Sequence, residues 1–145
     1  MTLELIIRYL HFLAILLVFG SLLVEFVLVK ETLPKKVLKL LGKIDALYGL
    51  ASLLLFGAGL SLWFWVGKPA EFYSQNPIFI SKFVLVCLVG ILSIWPTIFF
   101  LKNQKGNDED VVNIPNYIRK IILVEVVLLL VVPMLAVLMA RGVGL

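Results

Sequence analysis

Four apolar runs, near residues 5–29, 44–66, 78–101 and 118–140, dominate this chain of 145 residues, and each holds at least one ionisable side chain. A run of ~20 apolar residues is long enough to cross a hydrocarbon core of about 30 Å. In that medium a spanning segment must satisfy its own backbone polar groups, and a helix does so within one segment. The ionisable residues are His11 and Glu25 in the first run, Asp45 in the second, Lys82 in the third and Glu125 in the fourth. A charged side chain at the bilayer centre costs roughly 2.5–3.5 kcal/mol on insertion scales, so such groups face the bundle interior and meet partners there. The expected fold is therefore all-α: an integral-membrane four-helix bundle of antiparallel up-down topology, forming a single transmembrane domain over residues 1–145. Residues 34–43, where Val37, Leu38, Leu40 and Leu41 alternate with lysines, are expected to form an amphipathic lead-in to the second span at headgroup level.

Hydrophobic residues make up 62% of the chain, against roughly half in an ordinary soluble domain. The single cysteine, Cys87, allows no disulfide within one chain, and the single histidine allows no Cys/His metal site, so no metal is expected. The first run lacks a basic stretch ahead of it and exceeds the usual 7–15-residue core of a signal peptide. It is expected to be a retained span.

Basic residues set orientation. Lys30, Lys35, Lys36, Lys39 and Lys43 flank the first connection, and Lys102, Lys105, Arg119 and Lys120 flank the third, placing nine of the 13 cations on one side. Arg8, Lys68 and Arg141 fall on the other. The first and third connections are expected to be cytoplasmic, with both termini outside (N-out, C-out). The net charge of +4 suits anionic headgroups, and no aromatic-basic pattern suggests nucleic acid as a partner. Pro96 and Pro133 each remove a backbone donor and are expected to perturb the third and fourth helices. Gly57 and Ser61 have the small-xxx-small spacing that lets helices approach closely. Trp63 and Trp65 suit an outer interface. The polar stretch Lys102 to Pro115 is expected to be a mobile surface loop.

Helical phase places the polar residues on shared faces. His11, Ala14, Val18, Ser21 and Glu25 form one stripe; Asp45, Tyr48, Ser52 and Gly59 a second; Lys82, Val89, Ser93 and the nearby Thr97 a third; Glu125, Leu128, Val132 and Met139 a fourth. Depth then sorts them into two clusters. An outer cluster joins Arg8, His11, Lys82 and Arg141, with Tyr73, Trp63 and Trp65 above. The one acid expected near it is Glu71, in the loop. It is either a ligand site, in which an anionic group supplies the missing charge, or a structural arrangement in which Lys82 snorkels to the headgroups and His11 bonds a carbonyl of another helix. An inner cluster joins Glu25, Asp45, Tyr48 and Glu125. It either holds a cation or shares protons, or it is structural, forming ion pairs with the flanking Lys30, Lys43 and Arg119 or burying a protonated Glu that hydrogen-bonds in the core. Only Ser21, Ser52 and Ser93 lie between the clusters, too few for a continuous proton relay.

The runs Tyr9-Leu-His11-Phe-Leu-Ala, Asp45-Ala-Leu-Tyr48-Gly49-Leu-Ala, Tyr73 with Asn76-Pro77, Ser81-Lys82, Gly90 to Thr97, and Met139-Ala-Arg141-Gly142 together resemble one family over essentially the whole chain. It is the bacterial four-span predicted membrane protein family of unknown function, DUF2214. The resemblance implies a multi-pass protein of the bacterial inner (plasma) membrane and no particular activity. A weaker likeness, carried by His11 and Lys82 alone, is to the superfamily of CopD copper-resistance proteins and HemJ-type protoporphyrinogen oxidases.

Two functional expectations follow. In the first, the outer-side polar cavity around His11 and Lys82 binds an anionic small molecule or a cofactor, with haem b the candidate. His11 would be an axial ligand, Lys82, Arg8 or Arg141 would hold the propionates, and Met134 or Met139 would supply the second ligand unless a homo-oligomer shared the group. An enzyme of this kind would be a membrane oxidoreductase. In the second, the chain is a non-catalytic membrane subunit or assembly factor with purely structural polar clusters.

Overall fold

The computed structural model describes residues 2–61, 64 and 77–141. Its elements in chain order are α1 (Thr2–Leu28), β1 (Thr32–Pro34), α2 (Lys35–Ser61), α3 (Pro77–Leu92), α4 (Ile94–Asn103), β2 (Val111–Asn113) and α5 (Asn116–Ala140). Four helical segments are long and apolar enough to cross a membrane: Thr2–Leu28, Lys35–Ser61, Ile80–Asn103 and Asn116–Leu138. The third combines α3 with α4. The helices form an up-down bundle in which α1 packs on α2 and α5, α2 also packs on α4, and α3 packs on α5.

The break between α3 and α4 falls at Ser93. Pro96 has no N–H to offer the Leu92 carbonyl, so the ladder is interrupted three residues before the proline's own position. It resumes with the Ser93 N–H donating to Val89 O (2.9 Å) and the Thr97 N–H donating to Ser93 O (3.2 Å). Pro96 itself is buried. Pro133 acts differently: α5 continues through it.

Residues 34–43 do not form a separate surface segment. Residues from Lys35 onward belong to the same helix as the second span, and Leu38 and Leu41 are fully buried. They join Leu33, Phe100, Ile114, Ile118 and Ile122 in an apolar plug at the end of the bundle that carries the strands. At ~1.5 Å per residue a 27-residue helix such as α1 or α2 extends about 40 Å, longer than the hydrocarbon core. On the outside of the bundle Leu16, Leu53, Val84 and Leu130 are exposed, as a lipid-facing surface requires.

Nor is the Lys102–Pro115 stretch loose. β1 pairs antiparallel with β2 in the register Thr32↔Asn113, Leu33↔Val112, Pro34↔Val111. The Lys35 and Lys36 N–H groups donate to Asp110 O (2.8 Å) and Asp108 O (3.0 Å), and the Ile114 N–H to Glu31 O (2.8 Å). Lys35 Nζ donates to Lys105 O, and Lys39 Nζ to Gly106 O (3.0 Å) and Asp108 Oδ1. Gly106 takes φ +123°, in the region that favours glycine, and a Cβ there would run into the Lys35 side chain. The Lys39 ammonium holds the Asp108 carboxyl below the usual carboxylate range.

Candidate functional site: a carboxyl cluster shared by four spans

The inner cluster is assembled from one residue or more of every span. Glu25 lies one turn from the end of α1; Asp45 and Tyr48 are one turn apart on α2; Thr97 is on α4; Glu125 is on α5. The α-helical period aims them inward together with their stripe-mates Ser21, Ala51 and Ile122, which are also buried. Glu25, Asp45 and Glu125 retain only 2%, 6% and 1% of their exposure.

Two hydrogen bonds cross the bundle. Tyr48 Oη donates to Glu125 Oε1 (3.3 Å), joining α2 to α5. Thr97 Oγ1 lies 2.5 Å from Asp45 Oδ2, joining α4 to α2, and 2.9 Å from the Ser93 carbonyl of its own helix. Glu25 completes the set by facing Asp45 at hydrogen-bonding range, while its Oε1 finds no donor.

The flanking cations do not serve this cluster. Arg119 approaches Glu31 (3.8 Å), and Lys30 and Lys43 are exposed. None of the ion pairs seen among the described residues involves Glu25, Asp45 or Glu125. Among the described residues no group of three or more His, Cys, Asp or Glu side chains, these acids included, is placed to hold a metal ion. The serines between the clusters are spent locally: Ser52 Oγ donates to Tyr48 O (2.7 Å) and Ser93 Oγ to Gly90 O (2.6 Å).

The outer set is only partly brought together. His11 is half-buried, its ring resting on α2 at Leu55 and Gly59. A Cβ added to Gly59 would lie 3.5 Å from His11 Cε1, an ordinary van der Waals contact, so the ring and α2 are packed side by side. Nδ1 of His11 is buried and completes no hydrogen bond. Lys82 and Arg8 are near enough to act on it electrostatically. Arg8 is engaged by Glu4 one turn earlier (Nε 3.1 Å, Nη2 2.9 Å), an acid that the sequence reading left out of this cluster. Arg141 is exposed. Tyr73, Trp63, Trp65 and Glu71 lie outside the described residues.

The described residues do not bring together the haem ligands expected from the sequence. Met134, one of the two thioethers expected as second ligand, is 56% exposed on the outer surface of α5. The side chain of Met139, the other, lies outside the described residues.

Thr97 is the member of the cluster that sequence reasoning assigned elsewhere. It was grouped with Lys82 by helical phase, yet it sits fifteen residues further along the span, at the depth of the acids. Counting depth as well as phase would have found it. A family model described as predicted membrane protein (DUF2214) matches residues 3–144. The chain belongs to this family. No curated protein and no solved structure matches it, and nothing in these findings supports the likeness to CopD or HemJ-type proteins. The DUF2214 chain is thus a membrane-embedded helical protein with a carboxyl cluster at the junction of its spans.

Proposed function

We propose that this DUF2214 protein is a non-catalytic multi-pass module of the bacterial inner membrane, a subunit or assembly factor, whose polar core holds its four spans in register. The observation that carries the reading is the convergence of Glu25, Asp45, Tyr48, Thr97 and Glu125 from all four spans, with Tyr48 and Thr97 bonded across helices. Lipid tails are as apolar as leucine, so association within a bilayer depends on packing and on interhelical hydrogen bonds rather than on hydrophobic burial. A single polar layer at one depth fixes both which faces meet and how far each helix is slid along its neighbour. The test is a double-mutant cycle of Tyr48→Phe and Glu125→Gln, read by equilibrium unfolding in mixed micelles. A coupling of about 0.6–1.7 kcal/mol is expected; strictly additive effects would remove the reading. The strand-bearing end, rich in lysine, faces the cytoplasm in this proposal.

A second reading is favoured by His11 Nδ1, buried without a hydrogen-bond partner, in the electrostatic range of Lys82 and Arg8. This is a binding place for a small anion at that end of the bundle. Native mass spectrometry of protein purified in mild detergent tests it: a small acid that co-purifies with the wild type and is lost in Lys82→Met supports it, and equal spectra for both refute it.

A further inference from the structure

We propose that Glu25 and Asp45 together form a proton-binding site in the bundle core, occupied at neutral pH. The proposal rests on the reading of the cluster as the tie between spans, and it assigns that tie a ligand.

The first argument is the contact itself. An ionised carboxylate only accepts hydrogen bonds. Glu25 and Asp45 face one another at hydrogen-bonding range, so a bond between them requires a proton on one of the two. The second argument is a count of hydrogens at Thr97. Its hydroxyl carries one hydrogen, yet two oxygens stand at bonding distance, Asp45 Oδ2 at 2.5 Å and the Ser93 carbonyl at 2.9 Å. The carbonyl can only accept. That one hydrogen is divided between two acceptors, so it cannot compensate an ionised Asp45, and the proton held between Asp45 and Glu25 does so instead. The third argument is the missing counter-charge. Glu25 is 2% exposed and its Oε1 has no donor, and a buried acid without a partner neutralises rather than remaining charged.

The groups facing the pair from each neighbouring element reinforce this. From α1 comes only Ser21; from α2 comes Tyr48, whose hydroxyl is committed to Glu125; from α4 comes Thr97; from α5 comes Glu125, a further acid. Lys30 and Lys43 are exposed and Arg119 is directed at Glu31. Two negative charges in contact, with a third acid across the bundle and no ion pair to any of the three among the described residues, would push α1 away from α2. The proton is what allows the two helices to touch at this depth.

The experiment is infrared spectroscopy of the full chain in lipid nanodiscs at neutral pH, in H2O and D2O. The wild type should show the carbonyl stretch of a protonated carboxylic acid, shifted by deuterium, and part of that band should be lost in Glu25→Gln or Asp45→Asn while persisting in Glu125→Gln. Absence of any protonated-carboxyl band in the wild type overturns the proposal, and this measurement needs no variant to fold. A band that disappears only in Glu125→Gln overturns it equally. Because the amides mimic protonated acids in shape, Glu25→Gln should keep the wild-type unfolding midpoint at neutral pH; a large loss would mean that the carboxylate was ionised and needed. A missing band alongside intact Tyr48–Glu125 coupling would reject the proton site and leave the tie between spans standing.

Discussion

Replacing Thr97 by valine removes one hydroxyl from the junction and little else. Valine keeps the β-branched shape and the stiff χ1 of threonine, so local helix preference changes little. The Ser93 carbonyl keeps its bond from the Thr97 N–H (3.2 Å). What is lost is the contact to Asp45 Oδ2, on a side chain 6% exposed. In soluble proteins a buried polar group left unsatisfied costs about 1–3 kcal/mol. Within membranes, interhelical bonds average about 0.6 kcal/mol and reach about 1.7, because the unfolded chain in lipid finds other partners. Asp45 is an acid rather than a neutral amide, and its other neighbour is the acid Glu25, so the cost should lie in the upper part of that range, about 1–1.7 kcal/mol. Equilibrium unfolding in mixed micelles would read it, with Thr97→Ser as the control that restores the hydroxyl and recovers most of the loss. In a cycle with Asp45→Leu, which removes the partner, the Thr97→Val effect should largely vanish. Additivity to within about 0.3–0.5 kcal/mol, or a serine variant no better than valine, would show that the short contact contributes nothing and that α4 is held by packing alone.

Phe100, fully buried in the apolar plug, should cost about 3–5 kcal/mol on truncation to alanine and much less on replacement by leucine; equal midpoints for wild type and alanine would show that the plug does not hold the strand end. The Lys39–Asp108 pair sets a pH window. Because the folded pKa of Asp108 is depressed, its contribution is present above the ordinary aspartate value of about 3.9 and is lost as pH falls through the lower folded value. Carboxyl resonances should show Asp108 titrating below that range and returning to it in Lys39→Ala or in high salt; an unchanged titration would refute the pairing. For orientation, a cysteine at Asn107 in a Cys87→Ala background should resist an impermeant maleimide in intact cells and react after permeabilisation. Labelling of intact cells would invert the proposed topology.

The spans and their inward stripes were legible because an apolar run of membrane length leaves the chain one choice of local structure, and the 3.6 period then decides which residues share a face. The buried set Ala14, Val18, Ser21 and Glu25 follows α1's stripe residue for residue. What sequence distance could not give was angle. Lys43 is two residues from Asp45, which at ~100° per residue places it on nearly the opposite side of α2. Arg119, six residues before Glu125, is about a third of a turn from it on α5 and finds Glu31 instead. Closeness along the chain suggested ion pairs that the helix forbids. The converse error hid the Glu4–Arg8 pair, whose four-residue spacing brings the two side chains together on one face. The segment at 34–43 was ambiguous for another reason. Leucines on one face and lysines on the other suit a headgroup plane and the rim of a bundle equally, and Leu38 and Leu41 have a core to enter only because β1 and β2 fold the loop back over them.

The same distribution explains where this bundle is firm. Among the described residues, the large fully buried side chains are Leu22, Glu25, Leu38, Leu41, Pro96, Phe100, Ile118, Ile122 and Glu125, all in the acid layer or in the plug beneath the strands. Toward the other end the buried positions are small or short, Ala14, Val18, Ala51, Ala58 and Val89, and His11 rests on a glycine. Small residues bring backbones close but offer little side-chain interlock. Among the described residues the strand end therefore carries cross-helix bonds, a strand pair and an apolar plug, while the contacts described toward the other end are the Phe56–Phe83 ring pair between α2 and α3, with centroids 5.8 Å apart, and the packing of His11 on Gly59. Polar bonds set the depth at which the spans meet at the strand end, because a displaced donor loses its acceptor, whereas ring and backbone contacts at the other end tolerate small axial shifts.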